Sequence, residues 1–112
     1  LECAATGLSE KEALAAGFVP ISNITWGSAM APAMGMKKIG LKLTADKSSG
    51  KLLGAQAVGV AGAVGRINAL SVALWTGLNI DEVGYLDLAY APPFSAAWDI
   101  IHNAAQALRR MI

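Results

Sequence analysis

The feature that most constrains the fold is a pair of adjacent prolines, Pro92 and Pro93, near the C-terminal end of the chain. Each proline fixes its own φ and lacks a backbone N–H, so neither suits the interior of a helix or a central strand. Each also favours an extended conformation at the residue before it. Residues 90–94 are therefore predicted to form a stiff, extended segment that holds Tyr90 and Phe94 in set directions. A Pro-rich connector between helices, with no further role, is the alternative that the composition leaves open.

The chain is unusually apolar for a domain of its size. Of its 112 residues, 54% are hydrophobic and 15% are charged, whereas charged residues usually make up ~25% of a domain. This length suits one domain with a core of its own. The apolar excess predicts that part of the surface contacts a partner subunit or other domains. We do not predict a membrane span, because the longest stretch without charge, residues 13–36, is interrupted by prolines, glycines and an asparagine.

Charge and cysteine content exclude several classes of function. The net charge is +1 and the basic residues are scattered, so no nucleic-acid partner is predicted. Cys3 is the only cysteine and His102 the only histidine, so no residues have the spacing of a metal site. A single cysteine excludes an internal disulfide and favours a reducing, cytoplasmic setting. The chain has no initiator Met and no signal-peptide pattern, and is expected to be a piece of a longer protein.

Hydrophobic periodicity predicts an α+β fold, an antiparallel sheet with helices packed on it. Ser9 and Glu12 form a capping box that opens a short helix, and Gly17 suits its C-terminal cap. Strands are predicted at residues 18–26, 36–45 and 51–60. The first is expected at a sheet edge because Pro20 lies near its start. The third is expected inside the sheet because both of its faces are apolar.

The second half of the chain is predicted to be helical. Apolar residues at helical spacing indicate a long helix that Gly77 ends. Ser95 is the predicted N-cap of the last helix. Trp98 is expected in the apolar stripe of that helix. His102 is interpreted as a solvated or interface residue and not as a catalytic one. Trp75 is interpreted as a packing residue, like Trp26, with an interface anchor as the alternative.

A glycine-rich stretch, Gly59-Val-Ala-Gly-Ala-Val-Gly65, follows a strand and opens a helix, which is the context of a dinucleotide fingerprint. Its glycines recur every third residue, however, and the acidic residue expected ~20 residues further on is missing. The alternative is that these glycines let the helix pack close to the sheet. Arg66 lies near the helix start, where the helix dipole disfavours a cation. It indicates either a specific acidic partner or surface exposure.

The stretch Tyr90-Ala-Pro-Pro-Phe-Ser95, preceded by Tyr85-Leu-Asp-Leu-Ala89, resembles a segment of a known family. It is similar to the C-terminal dimerisation domain of the flavin-dependent pyridine nucleotide–disulfide oxidoreductases. The most similar branch contains the coenzyme A-disulfide reductases, NADH oxidases and NADH peroxidases. Three weaker segments agree and extend the resemblance over nearly the whole chain: Gly7-Leu-Ser-Glu10, Lys51-Leu-Leu-Gly-Ala-Gln-Ala-Val-Gly59 and Arg66-Ile-Asn68.

The resemblance implies that residues 1–112 are a single dimerisation domain from a longer flavoenzyme. In this family, a preceding region binds FAD and NAD(P)H and carries the redox-active cysteine. The isolated chain is therefore expected neither to be catalytic nor to bind either cofactor tightly. Its expected partners are a second copy, as a homodimer, and the FAD- and NAD(P)H-binding domains of the parent chain.

The resemblance also implies roles for the proline segment. Tyr90 is the candidate catalytic residue and would act in the partner subunit's active site. Ala91, Pro92 and Pro93 would lie near the partner's flavin. One branch of the family has a His-Pro pair here as its acid and base, which this sequence lacks. Two alternatives remain: a free-standing small-ligand binding module that uses the glycine-rich turn, and an oligomerisation module with no enzyme parent.

Overall fold

A computed structural model describes residues 1–90 and 93–112, which form one sheet and four α-helices. The strands are β1 (Glu2–Gly7), β2 (Pro20–Ser28), β3 (Lys38–Asp46) and β4 (Leu52–Gly59). The helices are α1 (Glu10–Ala15), α2 (Ala63–Trp75), α3 (Ile80–Val83) and α4 (Ile100–Arg109), and a 3₁₀ turn spans Pro32–Met34. The predicted α+β class is confirmed.

The sheet has the order β1-β4-β3-β2, and every pair of neighbours is antiparallel. The predicted edge position of β2 and the internal position of β4 are confirmed. Strand β1 was not predicted. Its residues alternate between exposed and half-buried, but they are small, so the alternation carries no clear hydrophobic signal.

The two longest helices, α2 and α4, cover one face of the sheet, and the core lies between them and the strands. Helix α2 packs on β1 and β4, and α4 packs on β2 and β3. Ile39, Leu41 and Leu43 of β3 are fully buried beneath them, as their alternation predicted. Burying one such side chain contributes roughly 1.5–3 kcal/mol, so this strand anchors the core.

Helix α1 lies at one end of the opposite face, where Glu10 pairs with Lys42 at 3.5 Å. The rest of that face is open and largely apolar, and we call it the open sheet face. It presents the side chains of Cys3, Ala5, Ile24, Trp26 and Val58. The Trp26 ring lies flat over Gly40, where an added Cβ would stand 2.7 Å from the ring. The prediction that Trp26 is an ordinary packing residue is wrong, because its side chain is 58% exposed.

Local signals set most helix ends. The capping box of α1 is confirmed, with reciprocal hydrogen bonds between Ser9 and Glu12 of 3.0 and 3.1 Å. Gly17 and Gly77 follow α1 and α2 with positive φ, as expected for glycines that end helices. The predicted start of the last helix is wrong, because α4 begins at Ile100 with Asp99 as its N-cap.

Helix α2 receives its N-terminal cap from a distant strand. Its N-cap residue, Gly62, has no side chain to offer and a φ of 82°. The Glu2 carboxylate accepts hydrogen bonds from the backbone N–H of Val64 at 3.1 Å and of Gly62 at 3.3 Å. These bonds, led by that from Val64, lower the pKa of Glu2 below its ordinary value of 4.5. The carboxylate therefore ties β1 to α2.

We expect Glu2→Gln to lower the free energy of unfolding at neutral pH, since a neutral amide accepts weaker hydrogen bonds at a helix N-terminus. The folded-state pKa of Glu2 lies below 4.5. Its contribution is thus fully present above that pH and is lost as the pH falls through the folded-state pKa. Urea unfolding from about pH 7 down to about pH 3 should show the two stabilities converging in acid. The exposed Asp87→Asn variant is the control. A difference in the free energy of unfolding between the wild type and Glu2→Gln that does not change with pH would contradict this account.

Two glycines are expected to respond oppositely to alanine. A Cβ on Gly54 would stand 2.0 Å from the Leu8 carbonyl oxygen, whereas a Cβ on Gly65 meets no atom within 4 Å. We expect Gly54→Ala to lower the free energy of unfolding by about 1–3 kcal/mol or more. Gly65→Ala should raise it by about 0.5–1 kcal/mol, because alanine favours the helix. Chemical denaturation measures both, and a Gly54→Ala variant as stable as the wild type would contradict the close packing.

Candidate functional site

A buried arginine forms the centre of the candidate site. Arg66, in the first turn of α2, is 8% exposed. Its Nε and Nη2 donate to the two carboxylate oxygens of Asp99 at 3.1 and 2.8 Å. Its Nη1 donates to the Gly62 carbonyl at 3.0 Å, and Nη2 also contacts the carbonyls of Ala29 and Phe94, both at 3.2 Å. Of the two predictions for Arg66, the acidic partner is confirmed.

Asp99 extends this network into α4. Its carboxylate accepts from the Ile101 N–H at 3.0 Å, and its own N–H donates to His102 Nδ1 at 2.9 Å. Because Nδ1 accepts that bond, the neutral ring carries its hydrogen on Nε2, which donates to the Leu86 carbonyl at 2.6 Å. Of the two predictions for His102, a solvated or an interface residue, the solvated one is wrong, because the residue is 4% exposed within the chain. Its two ring nitrogens join the start of α4 to residue 86.

The candidate catalytic residue, Tyr90, lies on a loop whose ends are held together. The Ser95 hydroxyl donates to the Ala89 carbonyl at 3.2 Å, and Arg66 holds the Phe94 carbonyl. Tyr90 is 57% exposed and Phe94 is 76% exposed. No hydrogen bond joins the Tyr90 hydroxyl to any other residue that the structure describes. The loop thus presents to solvent a phenol that has no hydrogen-bond partner among the described residues.

The predicted cofactor-facing residues are described only in part. Pro93 is exposed beside Phe94. Ala91 and Pro92 lie outside the described residues. The prediction that residues 90–94 are extended is wrong for Pro93 and Phe94, which lie in a turn.

The residues around this loop carry an exposed aromatic surface, which we call the aromatic segment (residues 85–98). Tyr85 and Trp98 are 71% and 56% exposed, and they meet edge to face at 6.2 Å between ring centroids. With Tyr90 and Phe94 they place four exposed aromatic rings on 14 consecutive residues. Clustered exposed aromatic rings are typical of a contact surface. Trp98 was expected in the helix core, and its exposure follows from the later start of α4.

A cleft of about 440 Å³ separates α2 from the aromatic segment. One wall carries the small residues Gly62, Gly65 and Ala69 of α2 and its approach, and the other carries Leu88, Ala89 and Phe94. Arg66 and Asp99 form its polar part. The cleft therefore opens beside the base of the Tyr90 loop.

The glycine-rich turn does not offer a phosphate site. The N–H groups at the start of α2 already bind the Glu2 carboxylate, which occupies the position that an anion would take. The glycines serve different purposes: a Cβ on Gly59 would stand 3.0 Å from Ile39, whereas Gly65 faces open space. Close packing explains Gly59 but not Gly65. This geometry argues against the small-ligand alternative.

Residues 1–90 and 93–112 contain neither a candidate metal site nor a candidate membrane span. No group of three His, Cys, Asp or Glu residues in this part of the chain could hold a metal ion. Within the same residues, every helix is too short or too polar to cross a membrane.

Comparisons with known proteins place the chain in a family. Residues 1–102 match the model for the pyridine nucleotide-disulphide oxidoreductase dimerisation domain. An NAD(P)H sulfur oxidoreductase (CoA-dependent) of Pyrococcus furiosus is 36% identical over 110 residues, which are 97% of this chain and 25% of that protein. A coenzyme A disulfide reductase of Staphylococcus aureus is 40% identical over 68 residues, which are 61% of this chain and 16% of that protein.

Solved structures with similar folds support the same family. An NAD-dependent persulfide reductase from A. fulgidus superposes with a TM-score of 0.92 at 35% identity, over 97% of this chain and 20% of its own. The reduced CoADR-RHD of Bacillus anthracis gives 0.90 at 28% identity, again over 97% of this chain and 20% of its own. The chain thus spans about a quarter or less of the length of these proteins. It belongs to the dimerisation-domain family of the pyridine nucleotide–disulfide oxidoreductases.

Proposed function

We propose that this chain forms the homodimer interface of an FAD- and NAD(P)H-dependent oxidoreductase and supplies Tyr90 to the partner subunit's active site. The observation that carries the proposal is the Tyr90 loop. Its base is fixed by Arg66 and Ser95, while its phenol is exposed and has no partner among the described residues. A phenol that is exposed to solvent, on a loop whose backbone is tied on both sides, suits a site completed by another chain.

The substrate class that we propose is a compound with a sulfur–sulfur bond. The relatives with 34–36% identity over nearly the whole chain are named for sulfur, polysulfide or persulfide reduction with coenzyme A. A water-forming NADH oxidase shares the fold at only 21% identity, so it supports the fold and not the reaction. We therefore favour a disulfide or persulfide over oxygen as the substrate of the parent enzyme.

FAD and NAD(P)H are proposed to bind to other regions of the parent polypeptide. When bound, they supply the two electrons that reduce a sulfur–sulfur bond. The described residues offer no glycine fingerprint for either cofactor, and Glu2 fills the anion position of α2. Ala91, Pro92 and Pro93 would instead form part of one wall beside the partner's flavin. A cytoplasmic setting also stays a prediction.

The proposed role of Tyr90 is to hold a proton beside sulfur. Reduction of a sulfur–sulfur bond releases a thiolate, which is stabilised by a hydrogen-bond donor. A phenol donates one hydrogen bond through its O–H. Because the ties at Ala89 and Phe94 orient the loop in advance, little reorganisation is needed when charge develops.

Tyr90→Phe in the full-length enzyme should lower kcat while the flavin stays bound and the dimer stays intact. The change keeps the ring and removes only the hydroxyl, so the loss is that of one preorganised donor, about 10²–10³-fold by analogy with oxyanion-site donors. Steady-state turnover, flavin absorbance and sedimentation measure the three quantities.

Tyr85→Phe is the matched control, because Tyr85 is the other tyrosine of the aromatic segment and is also exposed to solvent. It should leave turnover unchanged. Unchanged turnover in Tyr90→Phe would reduce Tyr90 to an interface packing residue.

The outer face of α2 is the surface that we propose for self-association. Val64, Asn68, Val72 and Trp75 follow one another at spacings of three or four residues and are all exposed. Trp75 is 91% exposed, so its interpretation as a core packing residue is wrong. Trp is enriched among the residues that dominate interface energies.

We expect the chain to dimerise at micromolar or higher concentration and Trp75→Ser to weaken that dimer. Loss of an interface anchor costs about 2 kcal/mol or more, which raises Kd about 30-fold. Sedimentation equilibrium measures Kd. Trp26→Ser, on the open sheet face, is the comparison variant: a selective effect of Trp26→Ser would move the proposed interface to that face, and a strictly monomeric wild type would contradict self-association of the isolated chain.

A further inference from the structure

We propose that Arg66 is a positioning residue that sets the location of the Tyr90 phenol. This inference deepens the proposed function and rests on it for the role of Tyr90. Arg66 contacts neither the phenol nor any group that would react. It acts through the backbone that carries Tyr90.

The contacts of Arg66 lie at the base of the Tyr90 loop. Its Nη2 holds the Phe94 carbonyl at 3.2 Å, four residues after Tyr90, and its fork fixes Asp99 at 3.1 and 2.8 Å. On the other side, Ser95 binds the carbonyl of Ala89. Tyr90 therefore lies between two points whose positions depend on the guanidinium and on its neighbour Ser95.

The same guanidinium fixes a second loop. Its Nη2 reaches the carbonyl of Ala29, which precedes the 3₁₀ turn, and Nη1 holds Gly62 at the start of α2. Ala29 is itself buried, and its N–H donates to the Lys37 carbonyl at 2.8 Å. One side chain thus sets the relative positions of the loop after β2 and of the aromatic segment.

Only arginine can make this set of contacts. Nε donates to one carboxylate oxygen and Nη1 to one carbonyl oxygen, and the two hydrogens of Nη2 are shared among the other carboxylate oxygen and two carbonyl oxygens. A planar guanidinium can reach all five acceptors from three nitrogens, whereas a lysine has three donors at one nitrogen. The pair is also poorly suited to a purely stabilising role. The Arg66 and Asp99 side chains are 9% and 8% exposed, and apolar residues of similar volume often stabilise a protein as well as a buried ion pair does. What the Arg66–Asp99 pair provides, and apolar residues would not, is a fixed arrangement of the backbone segments that it contacts.

The direct test places 3-fluorotyrosine at position 90 alone, in the full-length polypeptide that contains this chain. Arg66→Lys keeps the charge but cannot reach all five acceptors. We expect it to shift the ¹⁹F resonance or to split it into several. Arg109→Lys is the matched control, because Arg109 pairs with Asp81 at 2.8 Å in an exposed ion pair. A folded Arg66→Lys protein with an unchanged ¹⁹F resonance would overturn the proposal.

If Arg66→Lys does not fold, Asp99→Asn provides a second test of the same contact. It keeps the shape of the side chain and weakens its hold on Arg66, and should move the same resonance. In the unmodified protein, the Nη hydrogens of Arg66 should also give separate, slowly exchanging resonances. Free rotation and fast exchange of these hydrogens would overturn the proposal without any variant.

Turnover separates positioning from general stability. Misplacing a reacting group by about 1 Å can cost about 10²-fold in rate, so Arg66→Lys should lower kcat with a smaller change in KM. In a Tyr90→Phe background, Arg66→Lys should lower kcat little further, because both changes act through the Tyr90 phenol. Additive losses would overturn the positioning role. If Tyr90→Phe alone leaves turnover unchanged, the proposed function fails, while the ¹⁹F result still decides whether Arg66 positions the loop.

Discussion

The buried ion pair of Arg66 and Asp99 is the interaction on which the candidate site depends. Taking two charges out of water is costly, and the pair is retained only because nearly every donor and acceptor around it is used. Removing one partner from such a pair typically costs about 3–5 kcal/mol. Here it joins the N-termini of α2 and α4 to the carbonyls of Ala29 and Phe94. The helices thereby fix two loops that have little regular structure of their own.

The sheet explains why the chain suits contacts with other chains or domains. The helices α2 and α4 cover one face, and most of the opposite face is uncovered, so Ile24, Trp26 and Val58 are exposed to solvent there. The outer face of α2 adds Trp75, and the aromatic segment adds four more rings. Large exposed apolar patches on a small domain usually mark interaction surfaces. A dimerisation domain within a longer polypeptide has two kinds of neighbour, the partner subunit and the other domains of its own chain.

Local rules predicted the parts of the fold that local interactions decide. The alternation of apolar and polar residues predicted the burial of Ile39, Leu41 and Leu43. The capping-box pattern predicted the start of α1 at Ser9 and Glu12. Strand β1 was not predicted, because its mostly small residues show no clear alternation of apolar and polar side chains.

A motif in the sequence marked Tyr90 and the two prolines as candidate site residues, and their roles stay predictions, whereas the contacts between distant segments were not predicted. Tyr90 was marked by its prolines. The network around Arg66 was not, because its partners at Ala29, Phe94 and Asp99 are 28–37 residues away in sequence. The burial of His102 likewise follows from Leu86, 16 residues earlier. The only indication of this network in the sequence was Arg66 itself, a cation near the start of a helix, where the helix dipole disfavours positive charge.

The central claim is that Tyr90 serves the active site of the partner subunit, and hybrid dimers test it most directly. One subunit of the full-length enzyme would carry Tyr90→Phe and an intact redox thiol. The other would carry the intact Tyr90 and lack the thiol. If Tyr90 acts across the interface, the first subunit's thiol receives the second subunit's phenol, and each hybrid keeps one working site. Turnover close to that of the Tyr90→Phe homodimer would instead show that Tyr90 serves its own subunit or none, and would contradict the account.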